Sequence, residues 1–206
     1  DHNFLTIAQR CTDHLGPVDD DRVRQRLWRV RAKQVVLAQG AFERPLAFCN
    51  NDRPGVMLAS AVSTYIRRYA VRPGERAVVF TNNDSAYQAA IDLAESGASV
   101  IVIDSRAGGA GALGDAAKAA SIQVLAGHVL TDVKGVGRVT AANVAAWSGD
   151  AADTVENTIR IDCDLVAMSG GWSPAVHLYS HAGGRNRWDG ERLCFVPGEP
   201  GEQNVS

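Results

Sequence analysis

The segment Arg76–Arg106, RAVVFTNNDSAYQAAIDLAESGASVIVIDSR, changes its apolar period twice, and that change restricts the fold more than any other feature of the chain. Val78–Phe80 is a short β-rich run, after which Ala86, Ala89, Ala90 and Leu93 recur at helical spacing through Ser85–Ser96. Gly97 stops the helix, and Val100–Ile103 is a second apolar strand closed by Asp104. Strand, turn, helix and strand in so short a length predict a βαβ unit of a parallel sheet.

The turn of this unit has an unusual composition. Where a βαβ unit binds a dinucleotide the turn reads G-x-G-x-x-G/A, because a side chain at the second glycine holds the pyrophosphate away from the backbone N–H groups. Thr81, Asn83 and Ala86 stand at those positions, so only the small residue needed for helix-against-strand packing is kept. Asn tolerates positive φ better than other non-glycine residues, so the turn can form, but its Cβ and amide fill space a phosphate would use. Two readings of Thr81, Asn82, Asn83 and Asp84 follow. Either the Asn amides and the helix N-terminus offer donors to an anion, or Asp84 caps the helix and the Asn pair makes internal contacts. Asp104 stands where a ribose-binding acid would stand, and is equally a surface turn residue; Arg106 would suit a 2′-phosphate.

Composition sets wider bounds. The 206 residues are 46% hydrophobic with a net charge of −2, which suits a soluble α/β protein and gives no sign of a nucleic-acid partner. The apolar runs are strand-sized, well short of the ~20 residues of a membrane span, and Asp1-His2-Asn3 does not open a signal peptide. Cys11, Cys49, Cys163 and Cys194 are far apart with no CxxC, which points to reduced structural thiols and a cytoplasmic location. His177 and His181 are four apart, but no further metal ligand accompanies them. Trp172, Tyr179 and Trp188 suit a partner-facing aromatic patch as well as a core. No Gly-x-Ser-x-Gly elbow or activated cysteine is present, so no catalytic residue is assigned.

An internal echo organises the rest of the chain. VRAKQVVLAQGAFERP (Val30 to Pro45) and RIDCDLVAMSGGWSP (Arg160 to Pro174) each set an apolar run after a charged residue and close it with a glycine and a later proline. Laying Gly40 on Gly170 aligns Val35, Val36 and Leu37 with Leu165, Val166 and Ala167, predicting two strands of one type. A nucleotide-type domain inserted in another of related build would have this pattern, the chain leaving after Gly40 and returning near Gly170. The expected domains are residues 1–45 and 158–206 for the outer part and 46–157 for the inserted one. Within the insert, Ser121–Leu125 reads as a third parallel strand, and His128–Asp132 with Arg138–Trp147 as a hairpin turning at Lys134–Gly137. Ala107–Gly114 reads as a flexible entry to a helix over Asp115–Ala120, and Phe4–Cys11 as helix-like.

The alternation of AQGAFERP, NNDRPGVMLASAV, TNNDSAY and SGGWSPAVHL resembles the α subunits of heterotetrameric sarcosine oxidases, through nearly the whole chain. It also resembles, more distantly, the two-dinucleotide-binding-domain flavoproteins of the pyridine nucleotide-disulfide oxidoreductase type, which read GGGDSA where this chain has TNNDSA. Asp84, Ser85 and Ala86 match; Thr81, Asn82 and Asn83 depart. The resemblance implies a Rossmann-like three-layer α/β domain, a parallel sheet plus a β-hairpin or meander, inserted in an incomplete FAD/NAD(P)-binding domain. It implies a bacterial complex in which the α subunit holds NAD, FAD and FMN sit on the β subunit or its interface, and γ and δ subunits complete the heterotetramer. Such a complex demethylates sarcosine to glycine, passing formaldehyde equivalents to tetrahydrofolate and electrons to oxygen. The chain would be an internal piece of that subunit with no chemistry of its own. The A-x-G strand end of the outer domain passes the dinucleotide in the superfamily, which makes Ala38, Gln39, Gly40 and Ala41 its contacts in the intact subunit. That these residues are small only because the chain crosses between domains stays open. Glu43 is expected on the surface, and Arg44 is left open. Two other functions remain: a working NAD(P)-binding domain of a related amine or opine oxidoreductase, and a non-catalytic module that docks a partner subunit.

Overall fold

A computed structural model describes residues 4–16, 21–149 and 158–200. Its contacts divide the chain into two compact units, one holding Glu43–Trp172 and the other the residues up to Phe42 and from Ser173.

The first stretch is a hairpin. Strand β1 (Phe4–Arg10) pairs antiparallel with β2 (Gln25–Arg31), from Phe4 opposite Arg31 to Arg10 opposite Gln25. The helix expected over Phe4–Cys11 is therefore a strand: seven consecutive pairings with β2 fix it as one, and Thr6 and Ile7 are β-branched. The chain then passes through β3 (Ala41–Glu43) into the larger unit.

That unit has three layers. Strand β4 (Val56–Leu58) leads into α1 (Ala59–Tyr69); β5 (Arg76–Thr81), α2 (Ala86–Glu95) and β6 (Ser99–Asp104) form the unit anticipated above; α3 (Ala112–Ala119) and β7 (Gln123–Ala126) extend it. Gly97, at φ +89°, turns the chain from α2 towards β6, a conformation favouring glycine. An antiparallel meander follows, β8 (His128–Lys134), β9 (Ala141–Ala146) and β10 (Ile159–Asp162), and β11 (Leu165–Ser169) returns to the parallel sheet between β4 and β5, giving the order β4-β11-β5-β6-β7.

Alternation along each strand divides the core. Ala77, Val79, Val100, Val102, Leu165 and Ala167 face the helices with Val62, Ala90 and Leu93. Val78, Phe80, Ile103 and Val166 face the meander with Leu130, Val133, Val139 and Val144. A parallel sheet covered on both faces needs such continuous apolar strands. The chain leaves through β12 (Trp172–Pro174), which pairs with β3, and ends in α4 (His177–His181) and the hairpin of β13 (Asn186–Asp189) and β14 (Cys194–Pro197).

The larger unit runs past the boundary drawn at 157/158, because β11 pairs with both β4 and β5. Residue 157, like Asp1–Asn3, lies outside the described residues. The echo fails in its first half. Residues 36–40 belong to no strand and Val36 is 75% exposed, whereas the matching β11 is buried throughout. An apolar run is held as a strand by its ladder partners, and only β11 has one on each side.

Candidate functional site

The carboxyl ends of β5, β6 and β11 meet at the point where the sheet's connections diverge, the position at which open α/β sheets take ligands. Here that crevice is occupied by the chain's own polar groups. The Asn83 side-chain amide donates to Ser169 O at 3.0 Å and Ser169 Oγ at 3.1 Å. Its Oδ1 accepts the Ser85 N–H at 3.1 Å and the Ser85 hydroxyl at 2.6 Å. Thr81, fully buried, accepts the Asn83 N–H at its Oγ1, 3.0 Å away. Trp172 closes the crevice by donating from Nε1 to Ser85 Oγ at 2.8 Å.

Asp84 does not cap the helix. The first helical residue is Ala86, no side chain hydrogen bond caps it from Ser85, and the Ser85 N–H is taken by Asn83. Asp84 instead pairs with Arg106, Oδ1 to Nη1 at 2.7 Å, because Arg106 projects from the loop after β6 across the start of α2. The same guanidinium grips Asp104, Nε to Oδ1 at 3.0 Å and Nη2 to Oδ2 at 2.8 Å. Asp104 is fully buried and also accepts the Arg106 N–H at 2.9 Å and the Tyr87 hydroxyl at 2.8 Å. Hydrogen bonding to Asp104 pushes the Arg106 pKa further up, and burial, followed by the bond to Asp104, pushes the Tyr87 phenol up. The acid at the ribose position is thus neither free nor on the surface, and Arg106 is engaged by two carboxylates. A pyrophosphate at this turn would have to displace the Asn83 amide, and a ribose would have to displace Arg106, so these residues do not fit a dinucleotide as they stand.

The smaller unit offers a different surface. Gln39 and Gly40 line a pocket of about 410 Å³ with Leu37, Ala175, Tyr179 and Gly198. Gly40 sits at φ +72° and its carbonyl accepts the Ala175 N–H at 3.0 Å, while the Gln39 side-chain amide donates to Ala175 O. The Tyr179 hydroxyl donates to Gly198 O at 3.1 Å, drawing the chain after β14 against α4. The pocket is largely apolar, with small residues at Gly40, Ala175 and Gly198 that leave backbone accessible, and its volume is in the range usual for small-molecule sites. Ala38 and Ala41 are exposed and do not line it.

No family model matches the chain. Over 200 residues, 96% of its length, it is 44% identical to a protein named sarcosine oxidase subunit alpha from Corynebacterium sp. (strain P-1), of which the match covers 20%. The sarcosine oxidase subunit alpha of Rhizobium meliloti (strain 1021) is 36% identical over 198 residues, 95% of this chain and 19% of that protein. The chain is similar to sarcosine oxidase subunit alpha almost from end to end. It spans about a fifth of the length of these relatives. Among solved structures, thioredoxin reductase of T. acidophilum superposes with a TM-score of 0.62 at 18% identity, covering 86% of this chain and 59% of that one. L-proline dehydrogenase from P. horikoshii gives 0.53 at 20% identity, over 84% and 28%. At such identities the likeness is one of fold.

In this sarcosine oxidase-like chain, several residues play parts their sequence context did not suggest. Glu43 is not a surface acid: its Oε2 accepts the Ser60 N–H at 2.9 Å and so caps α1, which lacks a cap of its own. The Arg44 N–H donates to Gly171 O at 2.8 Å and its carbonyl accepts the Gly170 N–H at 2.6 Å. Ser169, Trp172 and Tyr87 complete the crevice network; all three lie in the TNNDSAY and SGGWSPAVHL segments, but no role at the crevice was assigned to them there, and the one signal for that role was their place at strand ends or on the first turn of α2. Trp172 lies in one unit, Tyr179 and Trp188 in the other, so a single patch of all three is not a property of either unit. Among the described residues no group of His, Cys, Asp or Glu could hold a metal, and no helix is long and apolar enough to cross a membrane.

Proposed function

We propose that the chain is a segment of an NAD-holding α subunit of the sarcosine oxidase type, with the dinucleotide passing the pocket of the smaller unit. The observation that carries this reading is the convergence of Gln39 and Gly40 with Pro197 and Gly198, far apart in sequence, on one pocket. Gln39 and Gly40 belong to the A-x-G segment at which relatives of this fold approach a dinucleotide, although here it lies outside any strand, and small residues there let the backbone come close. In the intact subunit Gln39 would orient the ligand by its free amide oxygen, and Tyr179 would hold the Gly198 carbonyl in place. When bound, a nicotinamide dinucleotide supplies a ring able to accept hydride; the residues here bind and orient. The wider activity, sarcosine demethylation with flavin, oxygen and tetrahydrofolate in a cytoplasmic complex with β, γ and δ subunits, is part of the same proposal and rests on the similarity to subunit alpha.

The inserted unit is then architectural: its turn is filled by Asn83 and its acid by Arg106. Val176→Trp, made in the intact subunit, fills the pocket from its wall. It should cut the NAD recovered per subunit at least tenfold with flavin content unchanged. Unaltered NAD content in a folded variant would remove the pocket from the reading. Calorimetric titration of the 206-residue chain with NAD and NADPH bears on the insert: heat that survives Val176→Trp would mean a working site at the Asn-rich turn.

A further inference from the structure

In open α/β sheets ligands bind in the crevice at the point where the strand order diverges. In this chain three side-chain bridges cross it: Asn83 to Ser169, Trp172 to Ser85, and Asp84 through Arg106 to Asp104. The last bridge has a specific chemistry. Asp104 is a fully buried carboxylate whose two oxygens accept from Arg106 Nε, Arg106 Nη2, the Arg106 N–H and Tyr87. A pair of hydroxyl donors on adjacent carbons, such as a ribose diol, would present to those oxygens the forked pattern that Nε and Nη2 present now. Asn83 stands where a phosphate would need bare backbone, and its amide is turned inward to Ser169 rather than out to an anion.

We propose that Arg106 and Asn83 are an internal plug, occupying from within the chain a crevice otherwise shaped for a nucleoside, and that removing both side chains opens it. The inference rests on the reading of the insert as architectural and names what makes it so. Arg106 stands in for the diol at Asp104, and Asn83 for the phosphate at the turn. The plug is a built-in contact that excludes a ligand while keeping the buried acid paired, since an unpaired buried carboxylate is strongly destabilising.

The test uses the whole 206-residue chain and its N83G/R106A variant, each titrated with adenosine, 2′-deoxyadenosine and adenosine 5′-monophosphate while Tm is followed. Wild type should not respond. The variant should start at a lower Tm and recover roughly 2–4 °C with saturating adenosine, the stabilisation expected of a ligand that binds only the folded state. It should recover less with 2′-deoxyadenosine, which lacks one hydroxyl of the diol, and more with the monophosphate. If the variant does not fold, N83G/R106Q, which leaves one amide donor to Asp104 and frees the Asp84 side, takes its place in the same titrations. A folded variant that ignores all three ligands overturns the plug and leaves the architectural reading standing. A wild-type chain that responds as strongly as the variant overturns both.

Discussion

The two units dispose of their apolar side chains in opposite ways. In Glu43–Trp172 the strands are buried on both faces, against three helices on one side and the meander on the other. In the other unit Leu27, Trp28, Phe42, Trp188 and Phe195 are exposed, and its ladders β1–β2 and β13–β14 have two strands each. Two-stranded ladders are marginal by themselves, whereas a covered five-stranded sheet carries its own core. The same division holds for polar groups: the larger unit satisfies its crevice internally, and the smaller one keeps an open pocket.

The comparison is broken most directly by charging each unit in turn. Val166→Asp puts an unpaired carboxylate at the centre of the sheet and should abolish the cooperative melt of the larger unit, while Val36→Asp, at 75% exposure, should change stability by no more than about 0.5 kcal/mol. A folded Val166→Asp chain would show that the sheet is not the determining core. Next, Leu165→Ala, at a position 1% exposed, should cost about 2–5 kcal/mol by denaturant titration, and Leu27→Ala, 64% exposed, about a tenth of that. Third, Asn83→Ala removes the side-chain bonds to Ser169 and Ser85 and takes away the acceptor of the Ser85 N–H, and should cost about 1–3 kcal/mol in the same titration.

Thiol reactivity tests how tightly the larger unit is closed, without perturbing the fold, since Cys49 and Cys163 both lie in it. Burial pushes the Cys163 thiol up to about 12, so a thiolate-directed reagent at pH 8 should label exposed Cys49 rapidly and Cys163 only on unfolding. Equal labelling rates would mean that the larger unit opens readily. The smallest effect concerns pH. Lys134, with Asn50, holds the Asp132 carboxyl below the usual carboxylate range. Its contribution is therefore present above the unfolded pKa of about 4 and is lost as pH falls through the lower folded value. Asp132→Asn should flatten the acid limb of a Tm–pH profile slightly, and an unchanged limb would assign that limb to other groups.

Legibility in the sequence followed the same division. β5, α2, β6, β7 and the β8–β9 hairpin were readable because their apolar periods are strong and their partners lie close in the chain, whereas β10, which completes the meander, was not read. β1 was misread because a seven-residue run such as FLTIAQR has no decisive period, and its strand character comes from pairing with β2. Val35–Leu37 carried the pattern of a strand, but only Val35 makes a bridge, and Val36 and Leu37 lie outside any strand. At the crevice, the loss of glycines announced an altered turn, and Asn83 does fill it. Which acid capped which helix was not legible: Glu43 reaches Ser60 and Arg106 reaches back to Asp84, and both contacts depend on how elements meet in space. A one-residue change in helix start also moved the cap position from Asp84 to Ser85, whose side chain makes no capping bond.

The clasp at Arg44 has a consequence for how such proteins diversify. Its N–H and carbonyl bond to Gly171 and Gly170, so the two ends of the larger unit are brought within one peptide of each other. A module whose ends already touch can be spliced into a surface loop, removed from it or exchanged for another without stretching the surrounding chain, since closing the remaining loop costs little. The junction also constrains what can be grafted there: a Cβ at Gly170 would meet the Arg44 and Pro45 carbonyls at 3.1 Å and Gly171 sits at φ +89°, so both positions favour glycine. Residues 43–172 thus meet the geometric condition for transplantation or for circular permutation at that clasp, two ends that lie side by side.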